Sequence, residues 1–109
     1  MPKKINKLKK SRSLKNSSQK WILRQLNDPL VKKARQQGYR SRAAFKIIEV
    51  DEKFKIFKKN KIVLDLGAAP GGWSQVALEK VGNNNVFALD ILEMPPLAGA
   101  HILQMDFLD

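Results

Sequence analysis

No cysteine occurs among the 109 residues, so the chain holds neither a disulfide nor a thiolate metal site. Its single histidine, His101, excludes a zinc site built on a histidine pair, and no metal is expected. No apolar run nears the roughly 20 residues that cross a bilayer, so no membrane role is expected either. The opening stretch MPKKINKLKKSRSLKNSSQK lacks the apolar segment of a secretory signal. It shares Lys, Ser and an absence of acids with transit peptides, but Ile5, Leu8 and Leu14 are too few for an amphipathic face. Acids are scarce throughout, with 10 Asp/Glu against 21 Lys/Arg and a net charge of +11.

That charge is unevenly placed. Residues 1–60 hold 19 Lys/Arg and 4 Asp/Glu, a balance of +15, while residues 61–109 hold 2 and 6, a balance of −4. A basic half that meets a polyanion, beside a near-neutral half with another task, is the reading this asymmetry favours. Nucleic acid is the expected partner, ahead of an anionic membrane surface. A chain of this length fits one small domain or part of a larger one, burying about two-thirds of its unfolded surface.

Residues 1–18 are polar, basic and aperiodic, which predicts a disordered arm, and a first turn of structure begins between Trp21 and Leu26. Asp28-Pro29 then offers an N-cap and a first helical position, and Gly38 a stop. Ser41 is placed to cap a second helix with Ala44, Phe45, Ile48 and Phe54 at helical spacing. After a polar turn at 58–61 the period changes. IVLDL (62–66) suits a fully buried strand of a parallel sheet. A glycine turn (67–72), a helix (73–81) closed by Gly82, a strand at VFALD (86–90) and a third at HILQMD (101–106) complete the pattern. Strand, glycine turn, helix, strand is the opening of a doubly wound α/β domain.

The glycine turn lies where such sheets bind nucleotides. Gly67 and Gly71 allow the backbone to turn sharply and a ligand to approach. The turn lacks the GK[ST] ending of a phosphate-binding P-loop, and GAAPGG lacks the middle glycine of a dinucleotide fingerprint. Trp73 at the helix start would crowd a diphosphate. Asp90 ends the second strand, where a carboxylate takes ribose hydroxyls. Asp106 ends the third, where it could accept from an adenine amino group. Asp65, inside the first strand, would bond the loop amides or face the amino-acid part of a ligand. Three acids near three strand ends favour S-adenosylmethionine over NAD.

SRAAFK (41–46), DLGAAPGGWSQ (65–75), LD (89–90) and MDFLD (105–109) resemble the FtsJ family from about Tyr39 to the last residue. The resemblance implies an α/β, Rossmann-like, S-adenosylmethionine-dependent methyltransferase fold. It implies 2′-O-methylation of a uridine in 23S rRNA of the large ribosomal subunit, carried out in the cytoplasm. Carried over by motif, Gly71, Trp73, Asp90 and Asp106 would contact S-adenosylmethionine, and Lys46 matches the first member of a catalytic Lys-Asp-Lys-Glu tetrad. A lysine among carboxylates can orient a ribose hydroxyl and stabilise the developing oxyanion. Lys3 to Lys20 and the cluster Lys32, Lys33, Arg35, Arg40 and Arg42 would bind RNA phosphates. Trp21 and Tyr39 either stack on unpaired bases or anchor a core.

The remaining Asp, Lys and Glu of the tetrad belong to later parts of the family pattern and match no residue here. The sequence therefore reads as a fragment in three parts: a basic, disordered RNA-binding arm (1–27), a helical segment carrying SRAAFK (28–60), and the first half of a methyltransferase domain, truncated after about the third strand (61–109). IVLDL would then be an unpaired, apolar edge. The alternatives are a non-catalytic rRNA-binding remnant and, far behind for want of GxGxxG, an NAD-dependent oxidoreductase.

Overall fold

The computed structural model describes residues 16–108. Its first element is a helix, α1 (Asn16–Asn27), which corrects the expectation of a disordered arm through residue 27. The half-buried positions Gln19, Ile22, Leu23 and Leu26 recur at intervals of three, four and seven, one helical stripe, and one residue separates the helix from α2 (Pro29–Gln36). Basic neighbours and a stripe opened by glutamine hid that period. The rest of the expected arm, residues 1–15, lies outside the described residues.

Asp28 caps α2 as expected: its backbone is extended, and its Oδ1 accepts from Leu30 N at 2.7 Å. Its second oxygen pairs with Arg42, so one carboxylate fastens the helix start to the chain that enters α3 (Ala43–Phe54). Ser41, expected to cap α3, makes no side-chain cap. Its carbonyl accepts from Ala44 N, and its hydroxyl instead fills the space beside Gly72. Phe54 also departs from expectation, being 69% exposed. The inward face of α3 is carried by Ala44, Ile47 and the buried Asp51, whose Oδ1 accepts from Phe57 N at 2.8 Å.

Strands β1 (Val63–Leu66), β2 (Val86–Asp90) and β3 (Ala100–Gln104) form a parallel sheet in that order, with α4 (Gly72–Val81) crossing from β1 to β2. Val76, Ala77 and Val81 of α4 are buried, against Ala44 and Ile47 of α3 on one side and Val86 of β2 on the other. Ala88 packs with Ala68 and Met94. All of this core lies on one face of the sheet. On the opposite face Leu64 pairs in register with Phe87 and His101, and Leu66 with Leu89 and Leu103. Leu64 and Leu66 are 59% and 51% exposed, so β1 is a half-covered edge strand and not the fully buried strand its composition predicts. Composition records the burial that a residue type suits, whereas β1 here has one neighbour and one covered face.

β3 ends at Gln104, two residues before the expected end, and this moves Asp106 off the strand into a turn where its Oδ1 accepts from Leu108 N. Replacing Asp28 by Ala removes both the cap and the pair with Arg42. The expected loss is about 1–2 kcal/mol of unfolding free energy, read as a lower urea midpoint.

Candidate cofactor site

Between β1 and α4 the chain reverses in residues 67–71, and its first three amides and the Pro70 carbonyl find partners elsewhere in the fold. Gly67 N and Ala68 N donate to Leu89 O at 2.8 and 3.1 Å. Ala69 N donates to Asp90 Oδ2 at 2.8 Å, and the other oxygen of Asp90 accepts from Leu92 N at 2.8 Å. The Ala69-Pro70 peptide is cis, and Pro70 O accepts from Arg40 Nη1. Asp90 is only 8% exposed, yet the amides of Leu92 and Ala69 hold its carboxyl below the usual carboxylate range. It braces the turn from beneath.

Above the turn lies a cavity of about 290 Å³, walled by Ser41 and Ala43, by Asp65 to Pro70, and by Gly72 and Trp73. Gly67 (φ +74°) has open space where a Cβ would stand, so the turn presents bare backbone there. Trp73 is 43% exposed; its indole N–H donates to Ala43 O at 2.8 Å, which ties α4 to α3 and stands the ring as a wall. The only ionisable side chain in the lining is Asp65. It accepts from Ser74 Oγ at 2.7 Å. Burial pushes its carboxyl upward, the Ser74 hydroxyl opposes that, and repulsion from Asp90 adds to it.

The expected site residues fall into different places. Trp73 lines the cavity, and Asp90 lies under the turn with both oxygens engaged. Gly71 (φ +112°) is buried and outside the lining: a Cβ there would meet Met94 Cε at 2.8 Å and Arg40 Nη1 at 3.0 Å, so packing rather than ligand approach demands glycine. Asp106 is exposed, beyond β3, and outside the lining. Lys46 is exposed on α3, three residues past Ala43 and so on the helix face that leads to the cavity wall.

Two basic residues assigned to phosphate binding are engaged within the fold. Arg42 pairs with Asp28, and the Arg40 guanidinium is spent on loop carbonyls. Tyr39 is half-buried against Phe45, edge to face at 5.7 Å, and packs beside the Ala44, Ile47 and Val76 cluster, which favours its reading as a core anchor. Among the described residues no three His, Cys, Asp or Glu gather as metal ligands would. Sequence reasoning missed Ser74, Gln75 and Arg40. For Ser74 a signal existed, a hydroxyl in the first turn of the helix that follows an acid-bearing strand.

The model of FtsJ-like methyltransferases matches residues 39–109. This chain belongs to the FtsJ-like methyltransferase family. The match begins at Tyr39, so α1 and α2 precede the family segment. Among relatives, ribosomal RNA large subunit methyltransferase E of Acidiphilium cryptum is 57% identical over 103 residues, covering 94% of this chain and 45% of its own length. The protein of that name from Xanthobacter autotrophicus is 54% identical over 106 residues, covering 94% and 42%. A solved structure of a Plasmodium falciparum protein described as a ribosomal RNA methyltransferase matches at a TM-score of 0.56 with 42% identity, over 62% of this chain and 38% of that one. The fold is thus the Rossmann-like α/β arrangement expected, and the chain spans less than half the length of the curated relatives it matches.

The two acids of this FtsJ-like site act oppositely on stability. Asp90, held low, contributes stability that is present above the ordinary carboxylate value of about 4 and is lost as pH falls through its depressed value. Asp65, held high, favours the folded chain at acid pH and loses that contribution as pH rises through its raised value. Asp90→Asn is therefore expected to lower the urea midpoint at neutral pH and flatten its acid limb, and Asp65→Asn to leave the neutral midpoint equal or higher. A Cβ on Gly72 would stand 2.4 Å from Ser41 Oγ, a side-chain end that can rotate aside, so Gly72→Ala is expected to cost at most about 1 kcal/mol. The added change Ser41→Gly should recover most of that, as thermal unfolding of the double variant would show.

Proposed function

We propose that this chain carries the cofactor-binding part of an S-adenosylmethionine-dependent enzyme that methylates the ribose 2′-hydroxyl of a uridine in 23S rRNA of the large ribosomal subunit. The observation that carries the reading is the charge of the cavity lining, whose one ionisable group among the described residues is the carboxyl of Asp65; Arg40, a cation beside its wall, is engaged with loop carbonyls. Such a wall suits a ligand with a sulfonium and an ammonium group and opposes a diphosphate. The bare backbone at Gly67 and the flat indole of Trp73 suit a nucleoside.

On this reading Trp73 walls the nucleoside. Asp90 would take the ribose hydroxyls with the lone pairs its two amide bonds leave free, Asp106 would accept from the adenine amino group, and Gly71 would keep the turn tight. When bound, S-adenosylmethionine supplies an activated methyl group. Lys46 orients the acceptor hydroxyl and stabilises the oxyanion as its proton leaves. The exposed Lys20, Arg24, Lys32, Lys33 and Arg35 would meet RNA phosphates, with affinity that falls as salt rises. A ribosomal substrate implies a cytoplasmic chain. No helix among the described residues is long and apolar enough to cross a membrane.

A second reading, an rRNA-binding remnant without catalysis, is favoured by the exposed basic residues of α1 and α2, which suit a polyanion whether or not methyl transfer follows. Binding before catalysis is the proposal for this chain taken alone. Calorimetry is expected to show S-adenosylmethionine binding and none of NAD, and a preference for NAD would overturn the cofactor assignment. Transfer of labelled methyl to immature large subunits separates the two readings, since RNA binding without incorporation leaves the remnant. Lys46→Ala should change cofactor affinity by no more than about twofold while abolishing any transfer.

A further inference from the structure

Arg40 stands in the segment between α2 and α3, and the sequence alone reads it as one more phosphate contact. Its surroundings are those of a clamp. Its backbone N–H donates to Gln75 Oε1 at 2.6 Å, and Gln75 Nε2 donates back to Gly38 O at 3.0 Å. Its guanidinium donates from Nη1 to Pro70 O at 3.2 Å and Pro95 O at 2.7 Å, and from Nη2 to Pro96 O. Those carbonyls belong to two different loops, the turn after β1 and the stretch that follows Asp90 after β2. Neither of the carboxylate pairs found among the described residues involves Arg40. The planar fork of a guanidinium, all donors and no acceptor, fits such a ring of carbonyls. Room for it is kept by Gly71, where a Cβ would stand 3.0 Å from Nη1 and 3.1 Å from Cδ.

We propose that Arg40 is a positioning residue for methyl transfer: it locks the cofactor turn, the loop after Asp90 and the lead into the Lys46 helix into one unit. The donor and acceptor sides of the site are thereby held in register before either ligand arrives. The inference rests on the methyltransferase reading, and it moves Arg40 from the RNA surface to the framework of the cofactor site. A misplacement of about 1 Å between reacting groups can cost on the order of 100-fold in rate, so such a clamp has a catalytic consequence although it touches no reacting atom.

The test compares the unsubstituted chain with Arg40→Gln and Arg40→Lys. In the ligand-free chain, Arg40→Gln is expected to speed hydrogen exchange at the amides of residues 67–69 and 91–94 together, by roughly tenfold, while α4 and β2 keep their protection. Calorimetry should show affinity for S-adenosylhomocysteine falling by about tenfold. Affinity for a 23S rRNA fragment, and its dependence on salt, should not change. Arg40→Lys, which keeps the charge without the fork, should show the same pattern to a lesser degree. Unchanged exchange in either loop overturns the clamp. A salt dependence shallower by about one counterion, with cofactor affinity intact, makes Arg40 a phosphate contact instead. Unfolding of both variants makes it a general framework residue and also overturns the proposal. Should the unsubstituted chain bind no S-adenosylhomocysteine, the methyltransferase reading itself fails and the positioning role with it. Unchanged loop exchange in a chain that still binds S-adenosylhomocysteine sinks the clamp and leaves that reading standing.

Discussion

The carboxylate of Asp90 is the point on which the candidate site depends. It ends β2, yet its work is done on two other stretches of chain, where it accepts from Ala69 N and Leu92 N. A turn that reverses the chain between a strand and a helix leaves amides and carbonyls that the sheet no longer pairs, and burying them unpaired would cost free energy. Asp90 and Leu89 O take the amides, while Arg40 takes the carbonyl of Pro70. Satisfied in this way, the turn presents open backbone at Gly67 on its outer side and close packing at Gly71 on its inner side.

The fold that carries this turn is one-faced. Small and β-branched side chains let α4 lie close on β1 and β2, and α3 closes over α4 through Ala44 and Ile47. Among the described residues the other face of the sheet leaves Leu64, Leu66 and Leu103 exposed, and β1 pairs with β2 alone. Charge follows the same division. The helices before the sheet carry many of the exposed basic residues, whereas the lining of the cavity behind Trp73 holds one carboxyl and no cation. A surface suited to a polyanion and a pocket suited to a cationic nucleoside thus sit on one small chain.

Much of the order of elements was legible in the sequence because local signals suffice for it. Asp28-Pro29 and Gly38 mark a helix by backbone chemistry that operates within four residues, and the glycine turn between β-branched strands marks the crossover. Misses came where the deciding partner is distant in sequence. The burial of β1 rests on how many neighbours it has, and the fate of Ser41 on Gly72. At the site, Trp73 was legible as a wall because a bulky side chain at the start of the helix stands beside the glycine turn wherever that turn folds. Arg40 was not, since a lysine-rich setting makes every arginine look like a surface cation.

The sequence by itself determined the family, the parallel strand–turn–helix unit and the division between a basic half and a near-neutral half, because motif spacing, turn chemistry and charge are properties of the chain. Only the tertiary structure decided which charges are free. It engaged Arg40 with loop carbonyls and Arg42 with Asp28, put Asp90 under the turn and left Asp65 as the one ionisable group in the cavity lining. The physical reason is that a side chain's role depends on its partners, and those partners come from segments that folding alone brings together.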